Sequence, residues 1–268
     1  MNNPQEIVNK YSDCGVKKAN SSVMKLLIMS IMAGIIIALS CVATNTIAFS
    51  VTAGIGTVKM IMGLVFPFGL AMVIFSGSEL FTGNCLMVIS IYDKKIKFLA
   101  MIRNWMIVYF GNFMGSIFIA YLCSNFGQLD IGNGELPVFT ANLANYKCSL
   151  SFSNAFVLGF LCNFLVAFAV LLSFTSDKVS GKFIAMFLPV AFFVMSGFEH
   201  SVANMYYISA GLFVKSIPAY DSIINSKDLF LSSLSWSNFL WHNLLPVTLG
   251  NIAGGVFVST IMWFGHRK

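Results

Sequence analysis

The sequence has little charge. Only 10% of its 268 residues are Asp, Glu, Lys or Arg, against about 25% in soluble globular domains. At the same time 57% of the residues are hydrophobic, and the chain holds 27 Phe and 15 Met. So few polar side chains cannot cover the surface of a globule of this size, which excludes a water-soluble fold. The composition indicates an integral protein of a lipid bilayer.

The six cysteines lack a metal-binding or redox pattern. They occur singly, without a CxxC motif or a cluster at metal-ligand spacing, so we expect small packing residues and no metal or cofactor. The first apolar run, after Lys25, is far longer than a signal-peptide core of roughly 7–15 residues, so no cleaved signal is predicted.

Six charge-free stretches predict six membrane crossings of about 20 residues or more. They are Leu26–Val58, Met60–Ser78, Asn104–Leu129, Cys148–Ser176, Phe183–Phe198 and Leu229–His266. Two of them, the second and the fifth, run into a carboxylate, Glu79 and Glu199, and then resume as shorter apolar pieces. We therefore predict two broken helices.

Basic residues cluster in alternate connections. With six crossings all of these clusters fall on one side, and the positive-inside rule places that side and both termini in the cytoplasm. The residues are Lys10, Lys17, Lys18, Lys25, Lys94, Lys95, Lys97, Arg103, Lys178, Lys182, Arg267 and Lys268. The connections 127–147 and 214–234 are expected to be loops on the outside. This topology explains the net charge of +6 without nucleic acid as a partner.

An internal repeat relates the two halves. Ser76–Asn84 and Ser196–Asn204 both read SGxExxxxN, offset by 120 residues, and N-x6-GNxxG begins at Asn104 and again at Asn243. An odd number of spans in each copy makes the copies inverted, which is typical of channels and transporters. The predicted organisation is an N-terminal cytoplasmic helix (1–25), a first three-span repeat (26–129, break at 76–84), an outer loop (130–152) and a second three-span repeat (153–268, break at 196–204).

The N-terminal segment carries helix-start signals. Asn3 is a plausible N-cap, Pro4 occupies the first helical position and Glu6 the third. We predict a short helix over Pro4–Lys18 at the cytoplasmic face. Its apolar residues are expected to pack on the inner mouth or on a neighbouring protomer; they are Ile7, Val8 and Tyr11.

The breaks have a structural and a functional interpretation. A helix broken inside the bilayer frees backbone groups that lipid cannot satisfy, so the break must be buried in protein or line a cavity. Gly77 and Gly197 permit the turns. The nearby polar residues could accept from freed amides, or the carboxylates could contact substrate or protons. The expected break-stabilising residues are Glu79, Glu199, Asn84 and Asn204.

His200 is the main candidate for chemistry. A mid-membrane histidine is costly, titrates near neutral pH, and can donate to an anion or protonate it. Thr82, in the corresponding region of the first break, offers a hydroxyl donor. His242 and His266 are expected near the membrane surfaces.

Three further polar residues leave two interpretations open. Lys147 could extend to the lipid headgroups or lie in a funnel that collects anions. Asn163 and Asn251 lie within spans, where they could line a path or tie helices together.

Five segments resemble a known family and together cover nearly the whole chain. They are Pro4-x-Glu6-Ile7 leading to Lys18-Ala19, SGSELFTGN (76–84), CNFLVAFAV (162–170), GFEHSVANMY (197–206) and NLLPVTLGNIAGG (243–255). They resemble the formate/nitrite transporter family, and GFEHSVANM is highly specific for it. General similarity favours the clostridial hydrosulfide channel branch.

The resemblance implies an all-α, aquaporin-like protomer in a homopentamer, with one pore per protomer for small monovalent anions such as hydrosulfide, formate or nitrite. It places the family histidine at His200, the threonine at Thr82, the vestibule lysine at Lys147 and pore-facing asparagines at Asn163 and Asn251. Two apolar constrictions are expected among five residues, their assignment open: Phe66, Leu70, Leu80, Phe81 and Phe193.

A bare anion crosses a dry constriction at great cost, because transfer of an ion to low dielectric takes of order 20 kcal/mol before relaxation. We expect Lys147 to concentrate the anion, the low dielectric to raise the anion's own pKa, and His200 to donate a hydrogen bond or a proton. A formate- or nitrite-specific proton-coupled carrier is the alternative.

Two other classes fit the residues less well. An aquaporin-type channel would carry Asn-Pro-Ala at each break, which this sequence lacks. An intramembrane enzyme could use Glu199 and His200 as acid and base, but the first break supplies no nucleophile or metal partner. We therefore expect no catalytic residues and no enzymatic activity.

Overall fold

The computed structural model describes residues 1–227 and 229–267, and the regular structure among them is helical. Lys268, one of the basic residues used to predict topology, lies outside the described residues. The first half contains α1 Pro4–Ala19, α2 Val23–Ala48, α3 Ile55–Val65, α4 Pro67–Phe75, α5 Phe81–Asn84, α6 Val88–Tyr92 and α7 Phe98–Asn125.

The second half contains α8 Glu135–Cys148, α9 Phe152–Leu172, α10 Val179–Met195, α11 Ser201–Ser216, α12 Pro218–Ser226, α13 Trp236–Asn238 and α14 Leu245–Arg267. Short 3-10 helices cover Cys85–Met87, Gln128–Asp130 and Ser173–Thr175, and a π-helix over Phe239–Leu244 joins α13 to α14. Each half therefore has the same order: a polar helix, a long apolar helix, a broken segment and a second long apolar helix.

Five of the described helices are long and apolar enough to cross a membrane. They are Val23–Ala48, Ile55–Phe75, Phe98–Asn125, Phe152–Thr175 and Trp236–His266. Two shorter apolar helices flank the breaks, over Phe81–Tyr92 and Val179–Met195. Large apolar side chains such as Phe68, Phe110 and Phe192 are more than half exposed. An all-helical membrane-type protein is confirmed, because such a surface requires lipid rather than water.

The structure corrects the predicted extent of the first crossing and the predicted form of the two outside connections. The stretch Leu26–Val58 holds a helix that ends at Ala48, with residues 49–54 outside helix, because absence of charge does not mark where a helix stops. The connections 127–147 and 214–234 contain the helices α8 and α12 instead of irregular loops. The sequence of α8 is polar, which favoured a loop, but one face of the helix, including Leu136 and Ala144, is buried in the structure.

The predicted N-terminal helix is confirmed. Asn3 Oδ1 accepts from the Glu6 backbone N–H at 2.9 Å, and Glu6 Oε2 accepts from the Asn3 N–H at 2.9 Å, which forms a capping box. The three predicted apolar residues are buried in one cluster with Leu86 and Ile89 of the same chain. Helix α1 therefore packs on its own protomer, beneath the first break.

Two helix pairs, α2 with α7 and α9 with α14, approach closely enough to exclude side chains. A Cβ added to Gly115 of α7 would overlap the carbonyl oxygen of Ile31, and one added to Gly254 of α14 would overlap that of Phe160. Small residues at helix interfaces are the usual means of close packing in membranes, where no hydrophobic effect drives helices together. These two pairs hold the broken segments in place.

We predict that Gly115→Ala lowers the melting temperature of the detergent-solubilised protein by about 5 °C or more, because the added methyl forces α2 and α7 apart. Gly265→Ala is the matched control, since a Cβ there meets no described atom within 4 Å. Equal melting temperatures for the two variants would contradict the packing role.

Candidate functional site

Both breaks turn at a glycine in the left-handed region. Gly77 has φ of +67° and Gly197 has φ of +72°, a conformation that glycine adopts without steric cost. Two residues further on, the Glu79 N–H donates to the Met29 carbonyl at 3.1 Å and the Glu199 N–H donates to the Leu158 carbonyl at 3.2 Å. The two breaks have the same backbone path.

Asn112 of α7 satisfies the freed backbone of the first break. Its Oδ1 accepts from the Phe81 N–H at 2.9 Å, and its Nδ2 donates to the carbonyls of Ser30 at 2.8 Å and Glu79 at 2.9 Å. One fully buried amide thereby ties the break to α2 and α7.

Asn251 of α14 makes the same set of bonds at the second break. Its Oδ1 accepts from the Ser201 N–H at 2.9 Å, and its Nδ2 donates to the carbonyls of Gly159 at 2.8 Å and Glu199 at 3.0 Å. Of the two interpretations of Asn251, the geometry is that of a residue that ties helices together.

Each carboxylate is held by an asparagine and a lysine. Glu79 Oε2 accepts from Asn84 Nδ2 at 2.7 Å and from Lys18 Nζ at 2.8 Å. In the second break, Glu199 Oε2 accepts from Asn204 Nδ2 at 2.6 Å, and Glu199 Oε1 accepts from Lys147 Nζ at 2.8 Å. The four residues expected to stabilise the breaks thus lie at corresponding positions of two hydrogen-bonded networks.

A second asparagine completes each network. Asn104 Oδ1 accepts from Asn84 Nδ2 at 2.8 Å, and Asn104 Nδ2 donates to the Lys18 carbonyl at 3.3 Å. Asn243, placed by the π-helix, accepts from the Asn204 amide at 2.8 Å and donates to the Lys147 carbonyl at 2.8 Å. The duplication therefore includes the lysines at the ends of α1 and α8.

Sequence reasoning assigned Lys18, Asn104, Asn112 and Asn243 no part in holding the breaks. The repeated N-x6-GNxxG motif contains all three asparagines and was the signal for them. The signal for Lys18 was its spacing from a helix start: Lys18 precedes the α2 N-cap Ser22 as Lys147 precedes the α9 N-cap Ser151.

His200 and Thr82 connect the two breaks. His200 caps α11, where its Nδ1 accepts from the Ala203 N–H at 3.1 Å, so Nδ1 carries no proton and the imidazole proton is on Nε2. Nε2 lies 3.0 Å from Thr82 Oγ1 and therefore donates to it. Both side chains are buried. This direction leaves the hydroxyl hydrogen of Thr82 available to a further acceptor.

A cavity lies beside each break. The first-break cavity, of about 340 Å³, is lined by Lys18, Leu70, Glu79 and Leu80 among others. The second-break cavity, of about 280 Å³, is lined by Lys59, Phe66, Lys147, Phe193, Glu199 and His200 among others. The histidine thus borders one cavity, and its threonine partner belongs to the opposite break.

Apolar side chains occupy the inner parts of both cavities. The Phe66 and Phe193 rings meet edge to face with centroids 5.5 Å apart, and Phe193 stacks on the His200 imidazole at 5.9 Å. Leu70 and Leu80 line the other cavity. All four are buried. Of the five residues expected at constrictions, these four lie on the cavity walls.

Phe81, the fifth residue expected at a constriction, and Asn163, expected to line the path or tie helices, pack between helices. The Phe81 ring meets the Tyr109 ring at 4.9 Å. Asn163 Nδ2 donates to the carbonyls of Thr82 at 3.2 Å and Asn251 at 2.6 Å. Asn163 therefore holds the backbone that carries the Thr82 hydroxyl, which is the helix-tying interpretation.

Lys147 lies on the wall of the second-break cavity, and its ammonium is paired. Its side chain is 10% exposed, it is paired with Glu199, and its Nζ lies 5.3 Å from the centre of the Tyr207 ring. A lysine extended to lipid headgroups would keep its ammonium in water. This ammonium is instead part of the wall of the second-break cavity.

A helical membrane protein whose two broken helices meet between two lysine-bearing cavities belongs to the channels and transporters. More narrowly, the chain belongs to the formate/nitrite transporter family, whose model matches residues 5–264.

Curated relatives are channels and transporters, not enzymes. The formate channel FocA of Haemophilus influenzae is 38% identical, covering 94% of this chain and 90% of that protein. A probable formate transporter of Methanothermobacter thermautotrophicus is 34% identical, covering 99% and 97%.

Two solved structures are similar. A pentameric formate channel with formate bound is 34% identical, with a TM-score of 0.80 over 92% of this chain and 98% of that one. An ion channel of the same family is 27% identical, with a TM-score of 0.83 over 97% and 98%. The fold of this chain is therefore that of the family.

We predict that Lys147→Met or Glu199→Gln alone destabilises the protein by about 3 kcal/mol, because each leaves a buried group without its partner. The double variant should recover at least half of the stability that either single variant loses. Lys227→Met, at the exposed ion pair with Glu135, is the control and should cost less than about 1 kcal/mol. Thermal unfolding in detergent measures all four, and strictly additive losses at the buried pair would contradict the coupling.

Proposed function

We propose that the chain conducts small monovalent anions, formate foremost, and that the anion is neutralised beside Thr82 and His200. One observation carries the proposal: a buried hydroxyl, fixed by a neutral histidine, lies between two lysine-bearing cavities with apolar inner walls. Such a hydroxyl can donate one hydrogen bond to an acceptor that has left water. Anions and weak acids are acceptors of this kind.

Formate is the leading substrate. The names of the relatives specify formate, and one similar structure holds it. Hydrosulfide and nitrite remain in the same chemical class, as monovalent anions of weak acids, and hydrosulfide, the substrate expected from the sequence, is the second one to test.

We further propose six membrane crossings in an inverted, aquaporin-like three-plus-three repeat. The support is the bond-by-bond correspondence of the two break networks, because inverted duplication places such networks on opposite sides of a midplane. The first-break cavity, with α1 beneath it, then opens to the cytoplasm, where both termini lie. The second-break cavity opens to the outside of a bacterial inner membrane.

A homopentamer is the proposed assembly. The pentameric state of the similar formate channel supports it. Each protomer then supplies its own path, because both cavities and the Thr82–His200 pair lie within one chain.

The apolar constrictions are the main barrier to a charged anion. We assign Phe66 with Phe193 to the outer constriction and Leu70 with Leu80 to the inner one, because they line the respective cavity walls. A charged anion between such walls loses most of its hydration, whereas the neutral acid does not carry that cost. Low dielectric raises the pKa of the anion itself as it enters, which favours protonation there.

The proton comes from water rather than from His200. With Nδ1 accepting from Ala203, the imidazole holds one proton, and its loss would leave an imidazolate. His200 therefore orients Thr82, and Thr82 donates a hydrogen bond to the anion. Passage of the neutral acid carries one proton with each anion, which is also the stoichiometry of the proton-coupled alternative.

The experiment is initial uptake of formate, hydrosulfide and nitrite into proteoliposomes across a pH series, with glycerol as a neutral control solute. We expect saturable formate uptake that rises as pH falls, because the acid form becomes more abundant. Glycerol uptake without formate uptake would contradict the proposed function and favour an aquaporin-type channel.

Thr82→Val keeps the side-chain volume but removes the hydroxyl. We predict that it lowers formate flux about tenfold, because the free energy of one hydrogen bond to a desolvated group corresponds to a factor of that size. Thr82→Ser, which restores a donor, should recover most of the flux. Uptake assays at fixed pH compare the three proteins. Equal flux through the valine variant would remove Thr82 from the path.

His200→Asn keeps an oxygen that can cap α11 and an amide donor, but it cannot shuttle a proton. We predict that its pH profile keeps the wild-type shape at a reduced rate. A profile that becomes flat would show that His200 itself transfers the proton.

A further inference from the structure

The two lysines of the second-break cavity have different electrostatic surroundings. Charged residues on the described wall of this cavity are Lys59, Lys147 and Glu199. Lys147 and Glu199 form a buried ion pair at 2.8 Å, so their charges cancel at a distance. Lys59 has no hydrogen-bond or ion-pair partner within residues 1–227 and 229–267. The net charge of the cavity wall is therefore that of Lys59.

Lys59 points into the cavity rather than toward lipid. It lies one turn into α3, and Met62 and Phe66, three and seven residues further, share its helix face and also line the cavity. Met60 and Leu64, which are exposed, lie on the opposite face of α3.

The ammonium lies beside the second break. A Cβ built on Gly197 would be 3.3 Å from Lys59 Nζ, so the charge sits over the turn that precedes Glu199 and His200. The side chain is only partly buried, and it lines the same cavity as Phe66 and Phe193. An unpaired cation at the rim of an apolar constriction raises the local concentration of anions.

We propose that Lys59 is an anion-attracting group of the second-break cavity, where it binds small monovalent anions before they meet the Phe66–Phe193 constriction. The inference rests on the proposed function and specifies which residue draws the anion. Lys147 holds the break through Glu199, whereas Lys59 contributes attraction that salt can screen.

The test compares Lys59→Gln with wild type in proteoliposomes at low formate concentration. In about 0.01 M salt, where the screening length is about 30 Å, we expect initial uptake to fall at least about threefold. In about 1 M salt, where that length is about 3 Å, the two proteins should agree. Lys227→Gln removes the same charge from an exposed ion pair and is the matched control.

Charge restoration separates electrostatics from packing. Lys59→Cys can be modified in detergent with a thiol reagent that adds either an ammonium or a sulfonate group and then reconstituted. We expect the ammonium to restore uptake at low salt and the sulfonate to lower it further. The same treatment of wild type is the background control; five native cysteines are buried, and burial raises the pKa of the Cys14 thiol, which slows its reaction.

The outcomes distinguish the two proposals. Formate uptake that is the same in wild type and Lys59→Gln at low salt, or the same with either attached group, would overturn the role of Lys59 while leaving the proposed function intact. A wild-type protein without formate uptake would overturn the proposed function and this inference with it.

Discussion

The structure depends on the unpaired backbone groups that a broken helix leaves within the membrane. Each freed N–H or C=O costs several kcal/mol in hydrocarbon unless another group binds it. Asn112 and Asn251 each bind two such groups and one carbonyl of a neighbouring unbroken helix, and close packing of α2 with α7 and of α9 with α14 brings these amides within reach. Glycines at the helix contacts, the asparagines and the positive-φ turns are parts of one solution to that cost.

The same solution creates the cavities and limits their chemistry. Ion pairs that hold the breaks place Lys18 and Lys147 on the cavity walls but neutralise them. In the account proposed above, Lys59 attracts the anion, and Thr82, whose hydroxyl His200 orients, donates a hydrogen bond to it. Neighbouring side chains therefore have different roles, some stabilising the breaks and others proposed to bind the anion. The charge of a residue alone does not show which role it has.

The positions of both breaks were predictable, because the glycine, carboxylate and asparagine of each motif are close in sequence and occur twice. The residues that bind these motifs were harder to predict. Ser30 and Asn112, or Gly159 and Asn251, meet only after two helices pack. Helix α8 was missed because its composition is polar and its burial is tertiary. The direction of the Phe81 ring depends on the backbone path after the turn, which periodicity does not record.

The most direct test of neutral passage is the number of protons that enter with each formate, measured in wild-type proteoliposomes that hold a pH-sensitive dye and whose membrane potential is set by a potassium gradient. We expect one proton per formate and a rate that is nearly the same at either sign of the potential. The uptake rate of a charged anion would depend on the membrane potential, because about 100 mV changes the free energy of the anion by about 2.3 kcal/mol. Flux that follows the potential without internal acidification would contradict neutralisation beside Thr82 and His200.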